Sequence, residues 1–266
     1  MSIPYGGPLH RIPSTKPGGG ITLAADHAAV TEGRTLFPSR VVWAEDTLRL
    51  LKSGMNQRKI GAKIVKGRWR GFPVYCLTLE ERATCPSQCE HWRSCYGNNM
   101  HRAERIANDR LFEDVLWDEL EELQQRHPGG FAVRLHVLGD FYSFAYVDLW
   151  RRALDAFPAL HCFGFTRRWA ADGDTIGWIL LGMVRDHWDR FAIRFSGVEA
   201  PFGATSFEKG EAPAGIPCPA QSGKTDCCGT CALCWTTTKP IAFEQHSGNR
   251  RGPAAKVDLH LSPEVT

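Results

Sequence analysis

The chain has 266 residues, of which 43% are hydrophobic and 23% charged, a balance that excludes a disordered, collagen-like or coiled-coil chain and suffices for one large domain or two small ones. No apolar run approaches the roughly 18 residues of a membrane span, and the start at Met1 lacks the basic and apolar regions of a signal peptide, so a cytoplasmic protein without membrane contact is expected. The formal net charge of +3 conceals an asymmetry: residues 1–70 carry 12 Lys/Arg against 4 Asp/Glu, which is +8 and leaves −5 for the remainder.

In chain order, residues 1–40 are rich in Gly and Pro and read as an extended N-terminal arm. A short helix is predicted over Glu45 to Lys52. Eight cations and no acid then fall between Arg49 and Arg70 (Arg49, Lys52, Arg58, Lys59, Lys63, Lys66, Arg68, Arg70), with Trp69 and Phe72 at the end. Such a run suits a phosphate backbone with an aromatic for base stacking, so nucleic acid is the partner expected through residues 49–70; the alternative is a plain solvated face. Lys63 to Val65 and Phe72 to Leu79 read as strands. His101 to His127 is the strongest helix, ending at Pro128-Gly129-Gly130. There follow a strand (Ala132 to Leu138), a helix (Tyr146 to Phe157), a strand (Leu160 to Thr166), a helix (Thr175 to Asp186) and a strand (Phe191 to Phe195).

Strands separated by amphipathic helices run parallel, which predicts an α/β fold. The architecture expected is a partial (β/α) barrel over residues 41–205, with a cysteine-rich C-terminal extension over 206–266. Loops leaving the strand C-termini, at 80–100, 139–144, 166–174 and 196–205, gather on one face, where sites form. Beyond Gly197 the pattern dissolves, and the end of the chain reads as loosely ordered apart from a short strand at Ile241 to Gln245.

Ten cysteines are the informative feature, because grouped thiols in a reducing compartment are metal ligands or redox groups more often than disulfides. Cys76 and Cys162 stand alone in apolar segments and read as small core residues. Cys85, Cys89 and Cys95 follow a predicted strand. Three thiols leave one coordination position open for water, substrate or cofactor, unless His91 completes a Cys3His zinc site. Cys218, Cys228, Cys231 and Cys234 make a full shell through a CxxCxxC run, with Cys227 adjacent as an alternative to Cys228. This pitch matches a cubane-type iron-sulfur cluster better than a zinc knuckle, and a zinc element is the alternative.

Gly139 and Asp140 end the next strand and would allow close backbone approach and supply an acceptor. His136 and Arg134 alternate with apolar neighbours, which places both on one side of that strand as candidate catalytic groups; the alternative for His136 is a hydrogen-bonded core position. Arg167, Arg168 and Arg194 near later strand ends are candidates to meet an anionic substrate, or else ion pairs.

The triple-cysteine loop, the Gly-acidic element, the βα units and the C-terminal cysteine cluster together resemble the radical S-adenosylmethionine enzymes. More narrowly, Leu77-Thr78-Leu79-Glu80-Glu81-Arg82-Ala83-Thr84-Cys85-Pro86 through Cys95-Tyr96-Gly97-Asn98-Asn99-Met100, with His136-Val137-Leu138-Gly139-Asp140-Phe141, resemble the phage-associated gene product 88 family over about residues 50–246. The loop here is Cx3Cx5C with Tyr96 after the last Cys, where the radical superfamily has Cx3Cx2C with an aromatic before it. The resemblance implies that Cys85, Cys89 and Cys95 hold a 4Fe-4S cluster whose fourth iron chelates S-adenosylmethionine, and that one electron from a reductant or electron-transfer protein yields a 5′-deoxyadenosyl radical. It further implies that Gly139 and Asp140 approach the methionyl amine, that Tyr96 packs near the adenine, and that the later cysteines hold a second cluster. The expected function is thus a radical enzyme acting on a nucleic acid or nucleotide. A non-catalytic zinc-binding nucleic-acid module and an iron-sulfur redox protein without cofactor cleavage are the alternatives.

Overall fold

In the computed structural model the described residues are 21–208 and 210–245. The strands are β1 (Val41–Val42), β2 (Lys52–Ser53), β3 (Val74–Cys76), β4 (Arg105–Ile106), β5 (Phe131–Leu135), β6 (Leu160–Thr166), β7 (Phe191–Ser196), β8 (Gly203–Phe207), β9 (Ile216–Pro217) and β10 (Ile241–Glu244). The helices are α1 (Ala28–Thr31), α2 (Phe112–Arg126), α3 (Phe144–Ala156), α4 (Thr175–His187), α5 (Cys228–Cys231) and α6 (Leu233–Thr236). β1 and β4 form a small parallel pair. The other eight strands form one sheet in the order β2-β3-β5-β6-β7-β8-β10-β9, parallel throughout except where β2 meets β3.

The fold is therefore mixed α/β with a parallel-rich sheet, as the alternation of elements predicts. The sheet stays open, with β2 and β9 at its edges and no closed barrel. Among the described residues no helix is long and apolar enough to cross a membrane.

Period-two alternation gives each central strand two apolar faces. Phe131, Val133 and Leu135 of β5, with Leu160 and Cys162 of β6 and Phe191, Ile193 and Phe195 of β7, pack with the buried stripes of α2, α3 and α4 in the larger core. Those helices carry Leu116, Leu120 and Leu123, then Val147, Trp150 and Leu154, then Leu180 and Val184, at helical spacing. Side-chain caps set two of their starts: Ser143 accepts from the Tyr146 N–H and Asp174 from that of Gly177. The opposite face presents Val74, Cys76, Ala132, Phe163 and Ala192, covered by Ile60, Ile64, Trp69 and Trp235.

Three expectations are corrected. Glu45 to Lys52 forms a 3-10 turn at Ala44–Asp46 and then the edge strand β2, because adjacent Leu50 and Leu51 are both buried and give their N–H groups to the Glu119 carboxylate in place of a helical ladder. The long helix begins at Phe112, and β4 precedes it. The described residues after Gly197 form regular structure, since β8 and β10 pair over four register positions and β9 joins β10, while the end of the chain past residue 245 lies outside the described residues. The region from 206 onward thus starts inside β8 and contributes two further strands to the same sheet. Of the expected arm, residues 1–20 lie outside the described residues, while α1 and its flanks pack on the first cysteine loop through Leu23 N–H to Arg93 O at 3.0 Å and Trp92 Nε1 to Val30 O at 3.2 Å.

Candidate thiol centres

The loop carrying Cys85, Cys89 and Cys95 leaves the C-terminal end of β3 and is held from beneath by buried charge. Arg105 and Glu81 form a fully buried ion pair, Nε to Oε2 at 2.8 Å and Nη2 to Oε1 at 3.2 Å. The same guanidinium donates to the carbonyls of Gly97, Met100 and Ala103. Arg82 reaches Trp92 O, Arg34 O and Asn98 Oδ1, and Asn98 in turn donates to Ile21 O and Arg93 O. Thr35 binds both acids, its N–H donating to Glu80 and its hydroxyl to Glu81. The Glu-Glu-Arg segment is thus the scaffold that shapes the loop. Nothing in its spacing announces this role, because buried charge networks have no periodicity.

Within that scaffold Cys95 accepts from the Gly97 N–H at 3.4 Å, and the backbone at Arg82 and at His91 offsets part of the effect of burial on Cys85 and Cys89. Burial raises all three thiols above the ordinary range, Cys95 to about 11. The three lie near enough that ionising Cys89 or Cys95 would raise the Cys85 thiol further, and ionising Cys89 that of Cys95. His91 is exposed, with Nδ1 3.4 Å from Ser94 Oγ. Among the described residues no three or more His, Cys, Asp or Glu side chains are drawn around one metal ion, so a Cys3His grouping is not formed. A single ion needs its ligands around a common point, whereas a cubane needs neighbouring sulfurs that each take a separate iron.

Asp140 stands on the next strand's loop, and its charge acts on both Cys85 and Cys89. Its Oδ1 accepts from Thr166 Oγ1 at 2.6 Å and Phe141 N–H at 2.8 Å, and its Oδ2 from Arg167 N–H at 2.7 Å. Burial raises its carboxyl to about 6 in spite of these donors. One acceptor position on Oδ2 is left over. Gly139 has φ +88°, and a Cβ there would stand 2.6 Å from Leu79 Cβ and from Thr84 Oγ1, so the Gly-Asp pair is pressed against the cysteine loop. Thr84 and Thr166, which tie Asp140 to its neighbours, carry no sequence signal of that role.

Arg167 lies close enough to Cys89 to lower its thiol and is 3.7 Å from Glu90 and 2.7 Å from Asp172. Its buried Nε has no partner among the described residues. Tyr96 is 47% exposed, with the Lys59 ammonium 5.4 Å from its ring centroid.

His136 and Arg134 do not share a side. β5 ends at Leu135, so its alternation does not extend to His136, which turns toward α3: Nε2 lies 2.8 Å from Tyr146 Oη and the ring packs edge-on to Phe141. Burial, with the nearby Arg134 charge, lowers its proton affinity to about 3. This is the environment of a core histidine. Arg134 faces the other way, its guanidinium over the rings of Phe165 at 4.8 Å and Phe163 at 5.8 Å. Gly164 opposite has no room for a Cβ, which would fall 1.3 Å from Leu135 O.

The later cysteines gather on that same face. Burial raises the thiols of Cys228, Cys231 and Cys234, the last to about 11, and Cys218 lies near enough to add to the rise in each. Cys227 is turned to Thr230, Sγ to Oγ1 at 3.6 Å. Arg194 donates to the carbonyls of Cys234, Leu233, Thr237, Gly203 and Lys239. All of its nitrogens are used, so the expectation that it meets an anionic substrate is corrected: it is a buried staple for the cysteine segment. Arg168 likewise is engaged, by Asp174 at 3.0 Å and Phe141 O at 2.8 Å.

Residues 49–178 match the family model described as gene product 88. The gene product 88 match runs from the start of the basic segment into the first turn of α4 and takes in the first cysteine loop, Gly139 and Asp140. The second cysteine group lies outside it. No curated protein and no solved structure matches the chain.

Proposed function

We propose that the protein is an iron-sulfur enzyme of the radical S-adenosylmethionine type, its open sheet serving as a partial barrel. The observation that carries the reading is the first loop: three thiols, one of them accepting from a backbone N–H, stand beside Gly139 and the buried Asp140 carboxylate, past the C-terminal ends of β3 and β5. Hydrogen bonds to cluster sulfurs stabilise their charge and tune the potential.

Cys85, Cys89 and Cys95 would hold a 4Fe-4S cluster, which with bound S-adenosylmethionine supplies radical chemistry after one-electron reduction by a partner protein. Asp140 would accept from the methionyl amine with its spare Oδ2 position, while Thr166 and the Phe141 and Arg167 N–H groups hold the carboxylate in place. Gly139 lets the backbone come near. Arg167, with one buried donor unmet, would meet an anionic group of the cofactor. Cys218, Cys228, Cys231 and Cys234 would hold a second centre, with Cys227 excluded by its bond to Thr230. A reducing cytoplasmic compartment suits both centres.

Anaerobic reconstitution tests this. The expected product is brown, with iron and acid-labile sulfide near a whole number of clusters, and it forms 5′-deoxyadenosine on reduction. Cys89→Ala should lose the first centre's absorbance and the cleavage together, and normal cleavage in that variant refutes the assignment. Colourless protein with stoichiometric zinc would make it a zinc module. Brown protein without 5′-deoxyadenosine would make it a redox protein.

A further inference from the structure

The basic segment is divided by its partners. At its start the charges are spent locally, Arg49 on Glu122 and Lys52 on Glu104. Arg68 is tied to Trp188 O and Trp235 O. Trp69, the expected stacking aromatic, is 1% exposed and lies flat on Trp235 at 5.3 Å, so it is an anchor and not a platform for bases. Lys63 is taken up in a β-bridge to Pro73; of the others, Arg58, Lys59, Lys66 and Arg70 are all exposed and without a carboxylate at ion-pair distance among the described residues.

That remainder is positioned by both cysteine segments. Cys228 N–H donates to Lys59 O at 2.8 Å, Gly229 N–H to Ile60 O at 2.9 Å, and Val65 N–H to Gly229 O at 3.1 Å, so residues 59–65 are laced to the second group. At the other end Lys59 lies on Tyr96, the residue after Cys95. Four exposed cations without a carboxylate partner thus lie within a short stretch of chain, and one of them, Lys59, rests on a half-exposed aromatic at the lip of the first loop.

We infer that this rim is a docking track for a single strand of nucleic acid, with Arg58, Lys59, Lys66 and Arg70 on its phosphates and Tyr96 stacking one base beside the first thiol group. A single strand fits better than a duplex because it alone offers an unstacked base face to an aromatic while its backbone follows a line of charge. The inference deepens the enzymatic reading by naming the substrate class, and rests on it only for what then happens to the strand. It also gives Tyr96 to substrate and not to the cofactor's adenine.

The test is fluorescence anisotropy of the whole protein with labelled 20-nucleotide oligothymidylate, oligouridylate and a duplex of equal length, over a salt series. Single strands should bind at least tenfold tighter than duplex, and the preference between the first two separates a DNA from an RNA substrate. With four phosphate contacts the slope of log affinity on log salt should be about −3, and Lys59→Ala with Lys66→Ala should flatten it by about 1 to 2. Tyr96→Ala should weaken single-strand binding about tenfold and leave the slope unchanged. Equal duplex affinity, a salt-independent signal, or unaltered binding in both variants overturns the inference. Cys89→Ala separates the two readings, since it should abolish cofactor cleavage yet bind oligothymidylate as the parent does.

Discussion

Burial holds the His136 imidazole neutral, with its proton affinity lowered to about 3 from an ordinary 6.5 by desolvation first and by the Arg134 charge second. The unfolded chain takes up this proton as pH drops below about 6.5, while the folded chain resists until about 3. The stability linked to this group is therefore complete above pH 6.5 and is lost through the interval down to 3, at about 1.4 kcal/mol per pH unit. Asp140 works in the opposite sense, because its raised carboxyl makes the folded state the better proton binder between its ordinary 3.8 and about 6. Substituting His136→Gln should flatten the acid limb of stability between pH 6.5 and 4.5, whatever it does to stability at neutral pH. Urea unfolding at several pH values measures this, and a variant with the parent's slope would assign the limb to another group. At this scale the sequence was a partial guide: that Gly139 and Asp140 lie in the loop following β5, near the first cysteine loop, was legible, whereas the side to which His136 points was not, since it depends on where β5 stops.

Among the elements, the first cysteine loop depends most on groups far away in sequence. Glu81 and Arg105 exclude water from each other, and removing one leaves the other charged in a site built for two. Glu81→Ala should cost about 3–5 kcal/mol, read as a shift of the urea midpoint, and should loosen the loop, read as faster amide exchange over residues 93–100 with β6 unchanged. A loss below about 1 kcal/mol would mean that the pair is hydrated in solution. The helices α3 and α4 and the strand β6 were legible because apolar residues recur at one period over two turns or more. The scaffold was not, because Glu80, Glu81, Arg82 and Asn98 are polar residues outside any α-helix or strand, which read by default as solvated, and Arg105, which belongs to β4, fell inside the predicted long helix. β8 and β9 escaped notice for a related reason: Gly203 and Ala204 give little hydropathy, and β9 is two residues long. Their pairing with β10 across the cysteine segment is what orders them.

For the molecule as a whole, sequential strand order puts α2, α3 and α4 on one face, and the chain has to find something else for the other. It uses residues 60–72 and the second cysteine segment, joined where Trp69 stacks on Trp235 and Phe163 meets Trp235 at 4.7 Å. The C-terminal third is thus a cover as well as three strands, which the fading hydrophobic pattern after Gly197 concealed. Ending the chain after Glu199 would expose Trp69 and Phe163, leave β7 as an unpaired parallel edge, and strip the Arg194 guanidinium of every carbonyl it binds. Losing one buried Trp alone typically costs about 3–5 kcal/mol, against a total stability of about 5–15. The truncated chain should therefore fail to fold: it should be insoluble, or soluble with a non-cooperative melt and exposed apolar surface that binds a hydrophobic dye. A soluble truncated protein melting in one sharp step would show that residues 200–245 are a separable appendage. The second thiol group would then have to be explained without its share in covering the sheet.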